Sequence, residues 1–201
     1  MATSKPMFIV LLGHSFFRRL RDHLKTTNYL NLGLDEAEFS LLWQGFGGMC
    51  IKDMHKHVDM LVSLQPNAIY LEIGSNDICF SPNVSILVDE LFSFVENLLK
   101  FCPSISSIII GQVIQRDLSS PRKAKVHSNY NQLVNQFNKT ITAHAKLSPH
   151  SKRLKIWKHK GLIQHFASYL LPDGVHLNTR GQHRLCHSIK RALVTVCAPK
   201  Q

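Results

Sequence analysis

The chain is most informative first in what it lacks. No apolar run approaches the roughly 20 residues that a membrane-spanning helix needs. The run from Met7 to Leu12 is apolar but too short, and no small-residue cleavage region follows it, so it reads as a strand rather than a signal peptide. Only five cysteines are present, Cys50, Cys79, Cys102, Cys186 and Cys197, an odd number without CxxC spacing. That argues against a disulfide framework and a zinc site, and it fits a reducing compartment. Internal repeats, low-complexity tracts and long linkers are also missing. With 44% hydrophobic and 18% charged residues, the composition is that of a packed protein, not a disordered one. One domain spanning residues 1–201, intracellular and cytoplasmic, is the expectation.

Acid is scarce, and its scarcity is uneven. Residues 1–114 carry 8 Lys/Arg against 11 Asp/Glu, a net of −3; residues 115–201 carry 16 against 2, a net of +14. The basic residues cluster at Arg122, Lys123 and Lys125, then from Lys152 to Lys160, then from Arg180 to Arg191. Such a face attracts phosphate backbones such as RNA, or anionic membrane headgroups, unless it is simply a solvated surface.

What is present alternates between strand and helix. Strands are expected at 7–13, 38–45, 68–74, 106–114 and 153–159, and helices at 15–26, 51–64, 84–101, 124–147 and 178–196. A flexible loop is expected at 119–125. Five βα units in series imply an α/β fold, a flavodoxin-like five-stranded parallel sheet in the order 2-1-3-4-5 with helices on both faces. In such sheets the site lies beyond the carboxyl ends of the strands. The residues there are Gly13-His14-Ser15, Gly45-Phe46-Gly47-Gly48, Gly74-Ser75-Asn76-Asp77, Gln112 to Arg116 and, after a longer loop, Asp173 and His176.

Each of these has a plain structural reading. Ser15 can cap a helix, "GFGG" (45–48) can be a turn, and "GSND" (74–77) an Asx turn. Each also has a chemical one. A serine at a strand end exposes Oγ near backbone N–H groups, but it needs a base to become a nucleophile. His176 is the candidate base, and Asp173, three residues earlier, its orienter. An oxyanion formed by attack on an ester needs donors, which Gly48 (or Gly47) and Asn76 can offer.

Together these blocks resemble the SGNH hydrolases, the GDSL-like lipase and esterase superfamily. "GHS" (13–15) is similar to its Gly-Asp-Ser block, "GFGGM" (45–49) to its glycine block, "GSND" (74–77) to Gly-x-Asn-Asp, and "DGVH" (173–176) to Asp-x-x-His. The resemblance implies a three-layer α/β/α sandwich and a carboxylic ester hydrolase working through an acyl-serine intermediate. It makes Ser15 the nucleophile, His176 the general acid–base and Asp173 its partner, with the Ser15 and Gly48 amides and the Asn76 side chain as oxyanion hole. No metal or cofactor is implied. His14 departs from the family's aspartate and puts an additional titrating group beside the nucleophile, which could alter the pH profile. Within the superfamily, "LLGHSF" (11–16) and the basic second half look most like the esterase domain of first-open-reading-frame proteins of non-LTR retrotransposons. A serine esterase for short acyl or acetyl esters is the leading reading. Its rivals are a binding module for nucleic acid or anionic lipid on the same scaffold, and a lipase, phospholipase or thioesterase.

Other features fit ordinary roles. Cys50 is near Gly48 but faces no predicted base, and His183 and His187, four apart beside Cys186, lack the third ligand a metal needs. His55 and His57 read as solvated helix residues, and Trp43 and Trp157 as core or pocket lining. Phe80, Phe166, Tyr169 and Leu170 are expected to shape an apolar acyl slot.

Overall fold

The computed structural model describes residues 5–120, 127–163 and 166–197. Its strands are β1 (Met7–Gly13), β2 (Phe39–Gly45), β3 (Ala68–Glu72), β4 (Ser107–Gly111) and β5 (Leu154–Trp157). Its helices are α1 (Ser15–Thr26), α2 (Ile51–Met54), α3 (Val58–Leu64), α4 (Asp77–Phe80), α5 (Val84–Phe101), α6 (Tyr130–Leu147) and α7 (Thr179–Cys197). The strands form one sheet in the order β2-β1-β3-β4-β5, parallel at every pairing, as expected from the sequence.

The central strands are apolar on both faces because both faces are covered. Val10, Leu12, Ile69, Leu71, Ile108 and Ile110 pack under α2, α3, α5 and α6. Ile9, Leu11, Tyr70 and Ile109 pack on the other face, against α1 and α7. All five strands therefore deliver their carboxyl ends to one rim.

Several sequence expectations need correction. The helix expected over 51–64 is interrupted by a 3-10 turn at His55–His57. There the His57 ring stacks on Phe46 and the His55 ring meets Phe94 edge-on; His55 is nonetheless exposed and His57 half-buried, in keeping with their reading as solvated residues. The helix expected from 124 begins at Tyr130; residues 121–126, with most of the expected flexible loop, lie outside the described residues. β5 ends at Trp157 because His159 turns into the interior, where its ring meets Glu72 Oε2 at 3.2 Å and Ser188 Oγ at 3.0 Å. The short helix α4 and a 3-10 turn at Phe166–Tyr169 were not anticipated, since four residues are too few to register as a period.

The rim is drawn together at β1. His14 N–H donates to Glu72 O at 3.1 Å and Phe46 N–H to Gly13 O at 2.9 Å. That approach is possible only because Gly13 and Gly45 lack side chains. A Cβ on Gly13 would overlap the Glu72 carbonyl oxygen, and one on Gly45 would overlap Arg18 N and lie 2.7 Å from Phe17 C, both rigid backbone. Gly45→Ala is therefore expected to destabilise the fold by about 2 kcal/mol or more, as overpacking against backbone does. Urea unfolding checks this, and a midpoint equal to wild type would contradict it.

Candidate active site

Ser15 is the first residue of α1, and the cap is the residue before it. His14 is extended, and its Nδ1 accepts from Phe16 N at 3.3 Å. The hydroxyl of Ser15 is thus not spent on capping, which settles that alternative. Accepting at Nδ1 requires a neutral ring. Burial supplies one: it pushes the His14 pKa down to about 4, against an opposing pull from Glu72 and with help from the charges of Arg116 and His176. His14 is therefore neutral around pH 7, and the altered pH profile expected from it does not arise there.

The loop carrying Asp173 and His176 is held from below. Asp117 N–H donates to Gly174 O at 2.9 Å, and Ser120 Oγ donates to Pro172 O. Gly174 has φ +68°, and a Cβ there would come 2.5 Å from Asp117 O, so the turn needs glycine. Within the turn, Asp173 Oδ1 accepts from the amides of Val175 and His176, each at 2.9 Å, while Oδ2 meets His176 Nδ1 at 2.7 Å. Burial alone would raise the Asp173 carboxyl. The hydrogen bonds from the His176 ring and the two amides outweigh it and hold the group below its ordinary value. An ionised carboxylate only accepts, so the hydrogen of this contact sits on His176 Nδ1, and Nε2 is the ring nitrogen left to face Ser15. That Nε2 lies 3.4 Å from Ser15 Oγ.

The candidate oxyanion donors border the same cavity as the imidazole. Gly48 has φ +75° with open space where a Cβ would be. Among the described residues, neither the Ser15 nor the Gly48 amide has an acceptor. Asn76 Nδ2 gives one hydrogen to Met49 O at 2.9 Å and keeps one. Asp77, the last residue of "GSND", fastens the same two loops: its Oδ1 accepts from Ile51 N at 2.8 Å. Ser15, Gly47, Gly48, Asn76, Asp173 and His176 all border one open cavity of about 520 Å³.

The expected acyl slot is not there. Phe80 is 79% exposed and faces a different hollow with Asp77 and Ile86. Tyr169 and Leu170 are buried in the layer beneath α7, and Phe166 packs against that layer. Among the described residues, Phe16 and Val175 are the only apolar side chains lining the cavity at Ser15. Instead it holds Arg18, Arg19 and Arg116, which sequence reasoning placed at the rim at best and gave no role, because single arginines form no motif. Cys50 is buried, and burial, with Asp77 and Asp53 adding to it, lifts its thiol to about 11, which makes it a poor nucleophile. The His183 ring lies against His23, with ring centroids 5.3 Å apart.

Asp77 gives a pH test of this loop packing. Burial raises its pKa from 3.8 to about 6, and its Oδ2 has no partner. Between those values the folded state holds the proton more tightly than the unfolded chain, so this group's contribution to stability is present at acid pH and lost as pH rises through about 6. Unfolding of wild type and Asp77→Asn at pH 4 and pH 7 should show the wild-type advantage shrinking by up to about 3 kcal/mol. His14 acts in the opposite sense in both proteins, so it drops out of the difference. A pH-independent difference would contradict the burial of this carboxyl.

Comparison with known proteins agrees with the fold. Among curated proteins, none matches the chain by sequence. Solved structures do match in shape. A GDSL-like lipase from Bacteroides thetaiotaomicron superposes with a TM-score of 0.69 at 16% identity, covering 97% of this chain and 92% of that one. A carbohydrate esterase family 3 protein from Talaromyces cellulolyticus gives 0.69 at 15%, covering 94% and 97%. A catalytic mutant of an acetylxylan esterase from Geobacillus stearothermophilus gives 0.64 at 12%, covering 94% and 95%. At such identities the likeness speaks for the fold alone. The profile of the GDSL-like Lipase/Acylhydrolase family matches residues 20–189, beginning after Ser15 and running past His176. By that match over most of its length, the chain belongs to the GDSL-like lipase/acylhydrolase family.

Proposed function

We propose that this protein is a serine esterase for short acyl esters, acetyl esters foremost, with Ser15, His176 and Asp173 as its triad. The reading rests on one observation above the others: a relay from Asp173 through His176 reaches Ser15 Oγ at the border of a cavity that also holds unspent N–H donors. His176 Nε2 takes the Ser15 proton as Oγ attacks the ester carbonyl. The oxyanion is held by the Ser15 and Gly48 amides and the free hydrogen of Asn76 Nδ2. As the C–O bond of the tetrahedral intermediate breaks, His176 protonates the leaving alcohol, and an acyl-serine remains. Water, deprotonated by His176, then attacks that acyl group, and the proton returns to Ser15 Oγ as the acid departs. Asp173 keeps Nδ1 protonated and stabilises the imidazolium throughout. The 3.4 Å separation of Ser15 and His176 is long for proton transfer, as is common before substrate closes the site.

The open cavity, whose only apolar side chains among the described residues are Phe16 and Val175, forms no slot for a long chain, which supports short acyl groups over the long chains of a lipase or phospholipase. Residues 1–201 are proposed as one esterase domain. The "LLGHSF" block and the basic second half support a kinship with retrotransposon esterase domains. A second reading, a binding module for RNA or anionic lipid, is favoured by a separate hollow of about 330 Å³ between β5 and α7. It is lined by Trp157, Lys158, Lys160, Arg184, His187 and Arg191.

A chromogenic acetyl ester separates the readings. Wild type is expected to turn over, with Ser15→Ala and His176→Ala each slower by about 10³-fold or more, and an octanoyl ester is expected to be a poorer substrate than the acetyl one. Folded wild type as slow as both variants would overturn the esterase reading. Binding to RNA or anionic vesicles that weakens with salt and survives Ser15→Ala would instead place a separate role on the basic face.

A further inference from the structure

The cavity at Ser15 is lined by three arginines, none of which forms an ion pair among the described residues. Arg116 is only 6% exposed, yet among the described residues it pairs with no carboxylate. Its Nη1 donates to Cys79 Sγ at 2.8 Å, its Nη2 to Ser75 Oγ at 3.0 Å and Ser75 O at 3.1 Å, and its plane lies 4.6 Å from the centre of the Tyr130 ring. None of these partners carries charge. Burial raises the Cys79 thiol further than Arg116 lowers it, so the sulfur stays protonated. A buried cation without an anion is costly, and an anion that arrives with a ligand removes the cost.

Two further arginines border the same cavity. Arg18 is exposed, and its guanidinium lies against Gly47, where a Cβ would sit 3.4 Å from Cζ. Arg19 has its Nε buried without an acceptor, and so does Arg116. Two of the four orphaned buried polar side-chain atoms among the described residues thus belong to arginines lining this cavity. The acids nearby are already engaged: Asp173 with three donors of its own turn, and Glu72 with His159 in the interior. Guanidinium groups with N–H donors to spare match the planar or tetrahedral oxygens of a carboxylate or phosphate.

We infer that the substrate of this site is an anionic ester, one whose alcohol carries a phosphate or carboxylate that is received by Arg18, Arg19 and Arg116 while the acyl carbonyl meets Ser15. The inference rests on the esterase reading and names its substrate class. An anion held there would orient the ester for attack, and the surrounding positive field would steer it in at low ionic strength.

Four acetyl esters of similar size test this: acetylglycerol phosphate, O-acetyl-lactate, monoacetylglycerol and acetylcholine. For wild type, kcat/KM for the better anionic ester should exceed that for monoacetylglycerol by about tenfold or more, with acetylcholine slowest and the anionic advantage falling as salt is added. The ratio of anionic to neutral kcat/KM should collapse towards one in Arg18→Gln and Arg19→Gln, whose positions at the cavity rim spare the core. Whichever of phosphate and carboxylate is faster identifies the group. Hydrolysis of the neutral ester with no anionic preference, or a preference unchanged in both variants, would overturn this inference while leaving the esterase reading intact. If no ester is hydrolysed, the esterase reading falls, and calorimetry with Ser15→Ala decides the anion site alone. Heat with glycerol 3-phosphate or lactate, absent with glycerol and lost on adding Arg19→Gln, would support it; no heat with either anion would sink it.

Discussion

Everything at the rim depends on how closely three strand ends approach one another. The chain leaves β1 at Gly13, and within one residue its backbone is tied to both neighbours, through His14 N to Glu72 O on β3 and through Phe46 N to Gly13 O beyond β2. Those bonds need two glycines where any side chain would strike backbone. The consequence is geometric: α1 starts at the sheet edge with Ser15 as its first residue, and the Gly48 and Asn76 loops stand beside it. Ordinary apolar burial holds the sheet to its helices. The seam decides that three loops distant in sequence share one cavity.

Burial then sets the charge state of what surrounds that cavity. It keeps His14 neutral, which lets the ring cap α1, and it lifts Asp77 while that carboxyl still binds the Ile51 amide. It leaves Arg116 charged with only neutral partners. Only Asp173 is driven the other way, because three donors outweigh its desolvation. The site is therefore a cavity rich in arginine in which the one acid among the described lining residues, Asp173, is already bonded to His176.

The sheet and its order could be read in the sequence because a parallel sheet buried on both faces writes continuous apolar runs, and "MFIVLLG" and "SSIIIG" are such runs. The helices 15–26 and 84–101 were legible to the residue because their periods are long and clean. The break at His55–His57 was not, since ring contacts with Phe46 and Phe94 are tertiary. Asp173 and His176 were legible because one short turn carries both. The arginine lining was not: Arg18, Arg19 and Arg116 come from two places in the chain, and only folding makes them neighbours. The apolar slot failed for the same reason, as Tyr169 and Leu170 follow the 3-10 turn after β5 and are buried with α7 rather than lining the cavity at Ser15.

The central claim is that His176 activates Ser15 and no other hydroxyl. A fluorophosphonate probe, followed by intact mass and peptide mapping, tests it directly. One adduct on Ser15 in wild type, nearly absent in His176→Ala, is the predicted result. No adduct on folded protein, or an adduct on a different serine, would contradict it.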